Sequence, residues 1–228
     1  MLASTLIDEV YRAYRGKGAS RTPAWGTEKA NTALSIANRK QREWATDPNN
    51  RWASLFEVRD VSPVIATNTP TYDLDDDFMF PSDYAMVTRT SGSLSQYPII
   101  TPQRRNLYEQ GLYISGRSPK QVTFSQTIDT GLSGGTLAIP GYYMPADMVN
   151  ASDTVAVDSP EWLIYITASE LARNDAAKDD QYVNLVNQAN DLYRKMIDNN
   201  NGGAFLQPFN IANNMPQIND GLDYDWLD

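Results

Sequence analysis

Two stretches of helical periodicity, one towards each end of the chain, enclose a middle segment, residues 58–158, in which no apolar run keeps a helical period for long. Ser4 or Thr5 can cap a first helix with Leu6, Ile7, Val10, Tyr11 and Tyr14 along one face, stopped by Gly16 and Gly18. Thr27 can cap a second, in which Ala30, Ala33, Leu34, Ala37, Gln41 and Trp44 recur at spacings of three and four before Pro48 ends it. The small residues of that face let a neighbouring helix come close, so residues 1–57 are expected to form a helical hairpin. Ser159-Pro160-Glu161 is a third start signal: a Ser cap, a Pro at the first helical position where its missing N–H costs nothing, and an acid at the positive end of the helix dipole. Trp162-Leu163-Ile164-Tyr165-Ile166 is apolar on all sides, which places it between layers. After a polar break at 174–180, a last helix carries Tyr182, Leu185, Val186, Ala189, Leu192, Tyr193 and Met196 on one face.

The middle segment reads as short strands at 55–59, 64–66, 84–89, 121–125, 136–139 and 154–157. Turn clusters such as Ser91-Gly92-Ser93 and residues 131–135 separate them, and Pro102 opens a brief helix. The expected class is therefore α+β. A helical bundle from the N- and C-terminal parts would carry an inserted small antiparallel β module and an extended C-terminal arm. In domain terms, residues 1–57 are the hairpin and 58–158 the β-rich insertion. Residues 159–200 are helices packing on the N-terminal ones, and 201–228 are the arm.

The arm is the most distinctive part. Beyond Gly202 and Gly203, read as a hinge, the chain has no Lys or Arg and four Asp, at 220, 223, 225 and 228. It nevertheless carries Phe205, Leu206, Phe209, Ile211, Met215, Ile218, Leu222, Tyr224, Trp226 and Leu227. Segments that stay disordered are poor in aromatic residues, because such side chains gain nothing in water. Spaced large apolar residues after a glycine pair point to a segment that orders on another surface. Thirty extended residues reach roughly 100 Å. Folding back over its own domain is the alternative.

Composition narrows the chemistry. The chain has no cysteine and no histidine, which excludes disulfides, thiolate chemistry, His-based triads and the commonest zinc ligands. The net charge of −9 is the reverse of the basic stripe that marks a nucleic-acid binder, yet suits a surface past which DNA slides without sticking. Asp8 and Glu9 interrupt the first apolar run and no basic leader precedes it, so cytoplasmic synthesis is expected and no membrane span is read. Asp73-Leu74-Asp75-Asp76-Asp77 opens like a calcium loop, but the sixth position is Phe78 and the twelfth Tyr84, where that loop needs Gly and Glu. An acidic turn before a Phe78-Met79-Phe80-Pro81 anchor accounts for it better. Ser133-Gly134-Gly135-Thr136 lacks the Lys and the strand-to-helix setting of a phosphate loop. No carboxylate pair stands out as a hydrolase site. Arg104-Arg105 and Arg39-Lys40-Arg42 read as solvated faces, the second also fitting an inter-subunit ion pair. No catalytic, metal or cofactor site is expected.

The order of these parts resembles the head-to-tail adaptor proteins of tailed bacteriophages, the connector ring beneath the portal. Four segments carry the likeness: the opening Leu2-Ala3-Ser4-Thr5-Leu6-Ile7-Asp8-Glu9-Val10 helix, the transition from Trp44 to Phe56, the run from Thr71 to Tyr84, and the two helices from Pro160 to Met196 with their acidic break. Residues 110–158 carry no matching segment. The resemblance implies a non-enzymatic ring, a dodecamer, placed in the virion between portal and tail or nozzle. Double-stranded DNA would pass through it unbound, and the arm would meet the portal protein. A virion-associated cell-wall hydrolase using a Glu/Asp pair, another tail-completion or nozzle protein, and a cytoplasmic scaffold are the competing readings.

Overall fold

The computed structural model describes residues 1–16, 22–106, 111–117, 119–125, 128, 130–173, 175 and 178–202. Among them are four α-helices: α1 (Ala3–Arg15), α2 (Glu28–Ala45), α3 (Pro160–Arg173) and α4 (Asp179–Gly202). Eight strands lie between α2 and α3: β1 (Phe56–Val61), β2 (Thr71–Asp73), β3 (Phe78–Pro81), β4 (Tyr84–Thr88), β5 (Leu94–Ile100), β6 (Leu112–Ser115), β7 (Gln121–Phe124) and β8 (Thr136–Tyr143).

The expected bundle with a small antiparallel module is not what forms. The fold is mixed α/β, with one eight-stranded sheet curled into a half-barrel beside the helices. Strand order is β1-β8-β4-β5-β6-β7-β2, with β3 also on β8. The sheet is not wholly antiparallel, because β5 and β6 run parallel through Ile99–Leu112 and Ile100–Tyr113.

Four strands escaped the sequence reading, each for a physical reason. β5 contains Pro98, which cannot donate to a ladder. It is tolerated where the strand changes partners: residues 94–98 face β4, and Ile99 and Ile100 turn to β6. β8 was expected to stop at Ile139, yet runs through Pro140 and Gly141 with β1 on one side and β3 on the other. Gly141 is required there, since a Cβ would sit 2.7 Å from the Phe80 carbonyl oxygen. β2, β3 and β6, at three, four and four residues, are too short to show a period. Conversely, 64–66 and 154–157 are not strands. Ile65 instead exchanges backbone hydrogen bonds with Gly134 and Gly135, and Thr154 makes an isolated bridge to Leu2.

Two apolar cores result. Inside the half-barrel lie Tyr72, Phe78, Val87, Tyr97, Val122 and Ile139. The other core joins all four helices around Leu6, Trp44, Trp52, Leu163 and Met196. β8 serves both: Ile139 and Tyr143 point into the barrel, and Tyr142 packs against the helical core.

The start of α1 lies earlier than the expected Ser or Thr cap. Its first amides donate to backbone carbonyls, Ala3 N–H to Asp153 at 2.7 Å and Ser4 N–H to Ala151 at 3.2 Å. A neighbouring loop thus satisfies donors that a side chain would otherwise cap. That loop is fixed by α2. Asn38 bonds both ways with the Met148 backbone, at 2.9 and 3.0 Å. Gln41, fully buried, donates to the Ala146 carbonyl and accepts from Ala156 N–H. Its place on an otherwise apolar helix face follows from this bridging.

Candidate docking site at the end of the fourth helix

α4 meets the body through an aromatic stack. The Tyr193 ring lies 5.8 Å from Trp52 and 5.6 Å from Trp162, and Trp52 lies 5.1 Å from Trp44. The Trp52 indole N–H donates to the Trp44 carbonyl at 2.7 Å, and the Tyr193 hydroxyl donates to Asp47 just past the end of α2. Two turns on, Asn200 accepts from Ala53 N–H at 3.1 Å and donates to the Arg51 carbonyl at 2.9 Å. The final turn of α4 is therefore held to the segment that joins α2 to β1.

Asp47 titrates with this latch. Burial alone would raise its pKa, but hydrogen bonds from Tyr193, Asn49 N–H and the Asn50 amide outweigh burial and hold the carboxyl below its ordinary value of 3.8. Burial and the same bond push the Tyr193 phenol upward. A carboxyl that is a stronger acid when folded stabilises the fold above its unfolded pKa, and that contribution is lost as pH falls through the folded value. The urea midpoint of the natural protein is expected to fall more steeply below about pH 4 than that of Asp47→Asn. Parallel curves would contradict the latch.

Arg51 connects the helix end to a groove. Its guanidinium lies 3.6 Å over the Phe80 ring, and Phe80 forms one wall of an open cavity of about 600 Å³. Phe78, Met79, Met144 and Pro145 supply the apolar surface, and Asp75, Asp76, Asp77, Arg117 and Lys120 ring it. Lys120 donates to the carbonyls of Phe78 and Met79 at 2.8 Å each, and burial lowers its pKa. Arg59 neutralises part of the acidic rim. It bonds Asp77 at 2.9 Å, Asp75 at 3.2 Å and Glu57 at 2.7 Å while lying 3.8 Å over Tyr143. The acidic turn thus closes on an arginine. Among the described residues no group of three metal-ligating side chains is poised for an ion.

The residues expected to meet a partner, Phe205, Leu206, Phe209, Ile211, Leu222, Tyr224, Trp226 and Leu227, lie outside the described residues, as does Gly203. Gly202, expected as half of a hinge, is the last residue of α4. The Arg39-Lys40-Arg42 cluster finds partners in its own chain: Lys40 with Glu43 at 2.9 Å and Glu170 at 3.0 Å, Arg39 with Glu170 at 3.5 Å, and Arg42 with Asp147. Those contacts tie α2 to α3 and to the loop after β8. Sequence reasoning missed the groove because its walls come from well-separated segments. Only the Phe78-Met79-Phe80-Pro81 anchor gave a signal for it.

No helix among the described residues is long and apolar enough to cross a membrane. Neither a comparison with models of protein families nor one with curated proteins finds a match for this chain.

Proposed function

We propose that this chain is a structural adaptor: many copies form a ring that joins the portal of a phage capsid to the tail and extends the DNA channel. The observation that carries the reading is the contrast at residue 202. Up to that point α4 is held to the body through Tyr193 and Asn200. Beyond it come ten large apolar side chains, four aspartates and no Lys or Arg. The resemblance of the four segments to connector proteins supports the same assignment.

Magnitudes favour a multivalent partner. A fully buried large side chain contributes about 1.5–3 kcal/mol, while ordering each residue's backbone costs roughly 1–2 kcal/mol. One such segment binds modestly. Linked copies on a symmetric ring raise avidity by roughly 10² to 10⁴ without a new kind of contact. The acidic balance fits a channel that repels DNA. Co-sedimentation with portal-bearing heads tests the proposal: the protein is expected to pellet with them at a fixed multiple of the portal, and to stay in the supernatant with heads lacking a portal. Equal binding to both would overturn it.

A further inference from the structure

We propose that the first part of the C-terminal segment, residues 204–209, seats in the groove beside Phe80 of its own protomer, so that the longer remainder leaves the body from a fixed point. The route is short. Asn200 bonds to the Arg51 carbonyl, Arg51 lies on Phe80, and Phe80 is a wall of the groove. Phe205 is three residues past the end of α4, a reach of roughly 10 Å, and Phe209 is within roughly 25 Å. A tether this short holds the segment near the groove at an effective concentration on the order of millimolar.

Reach selects which part of the segment fits, and its charge is compatible with the groove. Residues 204–209 read Ala-Phe-Leu-Gln-Pro-Phe and carry no charge, whereas the acids begin at Asp220. The rim sets Asp75, Asp76 and Asp77 against Arg117 and Lys120, with Arg59 on two of the acids, so it is nearly balanced and takes a neutral segment without stranding a charge. Two phenylalanines and a leucine suit walls made by Phe78, Met79, Phe80 and Met144. Lys120 has two of its three N–H donors on carbonyls, leaving one for a backbone carbonyl of the occupant. This assigns Phe205, Leu206 and Phe209 to the chain's own body and leaves residues 211–227 for the partner. Only that last clause rests on the adaptor reading.

The chain has no cysteine, so a disulfide trap is unambiguous. Ala146→Cys, on the exposed rim of the groove, is combined with Gln207→Cys in the full-length protein, and oxidation is followed at high dilution without heads. An intrachain disulfide is expected to form roughly tenfold faster than in the same protein carrying Phe205→Ala and Phe209→Ala. Equal rates in the two proteins would overturn the proposal by showing that the tether alone brings the thiols together. Disulfide-linked dimers as the main product would overturn it in favour of a neighbouring copy's groove. Neither result bears on attachment to heads, which the isolated protein does not report.

Discussion

Replacing Trp52 with alanine is expected to destabilise the protein by about 3–5 kcal/mol. Trp52 is 1% exposed and lies between Trp44 and Tyr193, so truncation opens a cavity where the α2–β1 segment meets α4. The substitution also removes the indole N–H that reaches the Trp44 carbonyl. The neighbouring hydrogen bonds between Asn200, Arg51 and Ala53 depend on the same segment, so the final turn of α4 loosens with it. Urea unfolding followed by tryptophan fluorescence measures the loss. Trp25→Ala, at a side chain 36% exposed, is the control and is expected to change stability by less than about 0.5 kcal/mol. A Trp52 variant as stable as that control would refute the packing described for the helix end.

Ending the chain after Gly202 is expected to abolish attachment to portal-bearing heads while leaving a folded protein. Among the described residues the last buried residue of α4 in the helical core is Met196, so both cores as described lie before the cut. The shortened chain should therefore keep a cooperative unfolding transition and the far-ultraviolet dichroism of the full one. Binding behaves differently, because loss of the linked segments removes the avidity that makes attachment measurable, a fall of roughly 10² to 10⁴. Co-sedimentation of the shortened protein at full-length levels would show that the segment is not the docking element.

How much of this was legible depended on whether local signals decided the structure. α2 and α3 were readable because their starts carry their own caps: Thr27 accepts from Ala30 N–H, and Ser159 from Trp162 N–H. α1 begins at Ala3 because carbonyls from residues 151 and 153 replace a cap, and no window of sequence around Ser4 records a loop so far away. The size of the sheet was hidden by the same kind of non-local cause. Pro98 and Pro140-Gly141 look like strand breakers, but in the half-barrel they sit where β5 changes neighbours and where β3 crosses close to β8. Register and partner choice, not propensity, make those residues extended. The C-terminal segment stood out by composition alone, since aromatic residues without basic ones are conspicuous. The groove did not, because Phe80, Lys120 and Met144 come together only after three separate strands have paired.

Cryo-electron microscopy of portal-bearing heads incubated with the purified full-length protein tests the adaptor assignment most directly. The expected result is a closed ring of added density on the portal's outer face, with the half-barrel and helices resolved in each copy and density for the distal C-terminal segment entering the portal. Heads that bind no protein, or a ring joined to the portal by some surface other than the C-terminal segment, would contradict it.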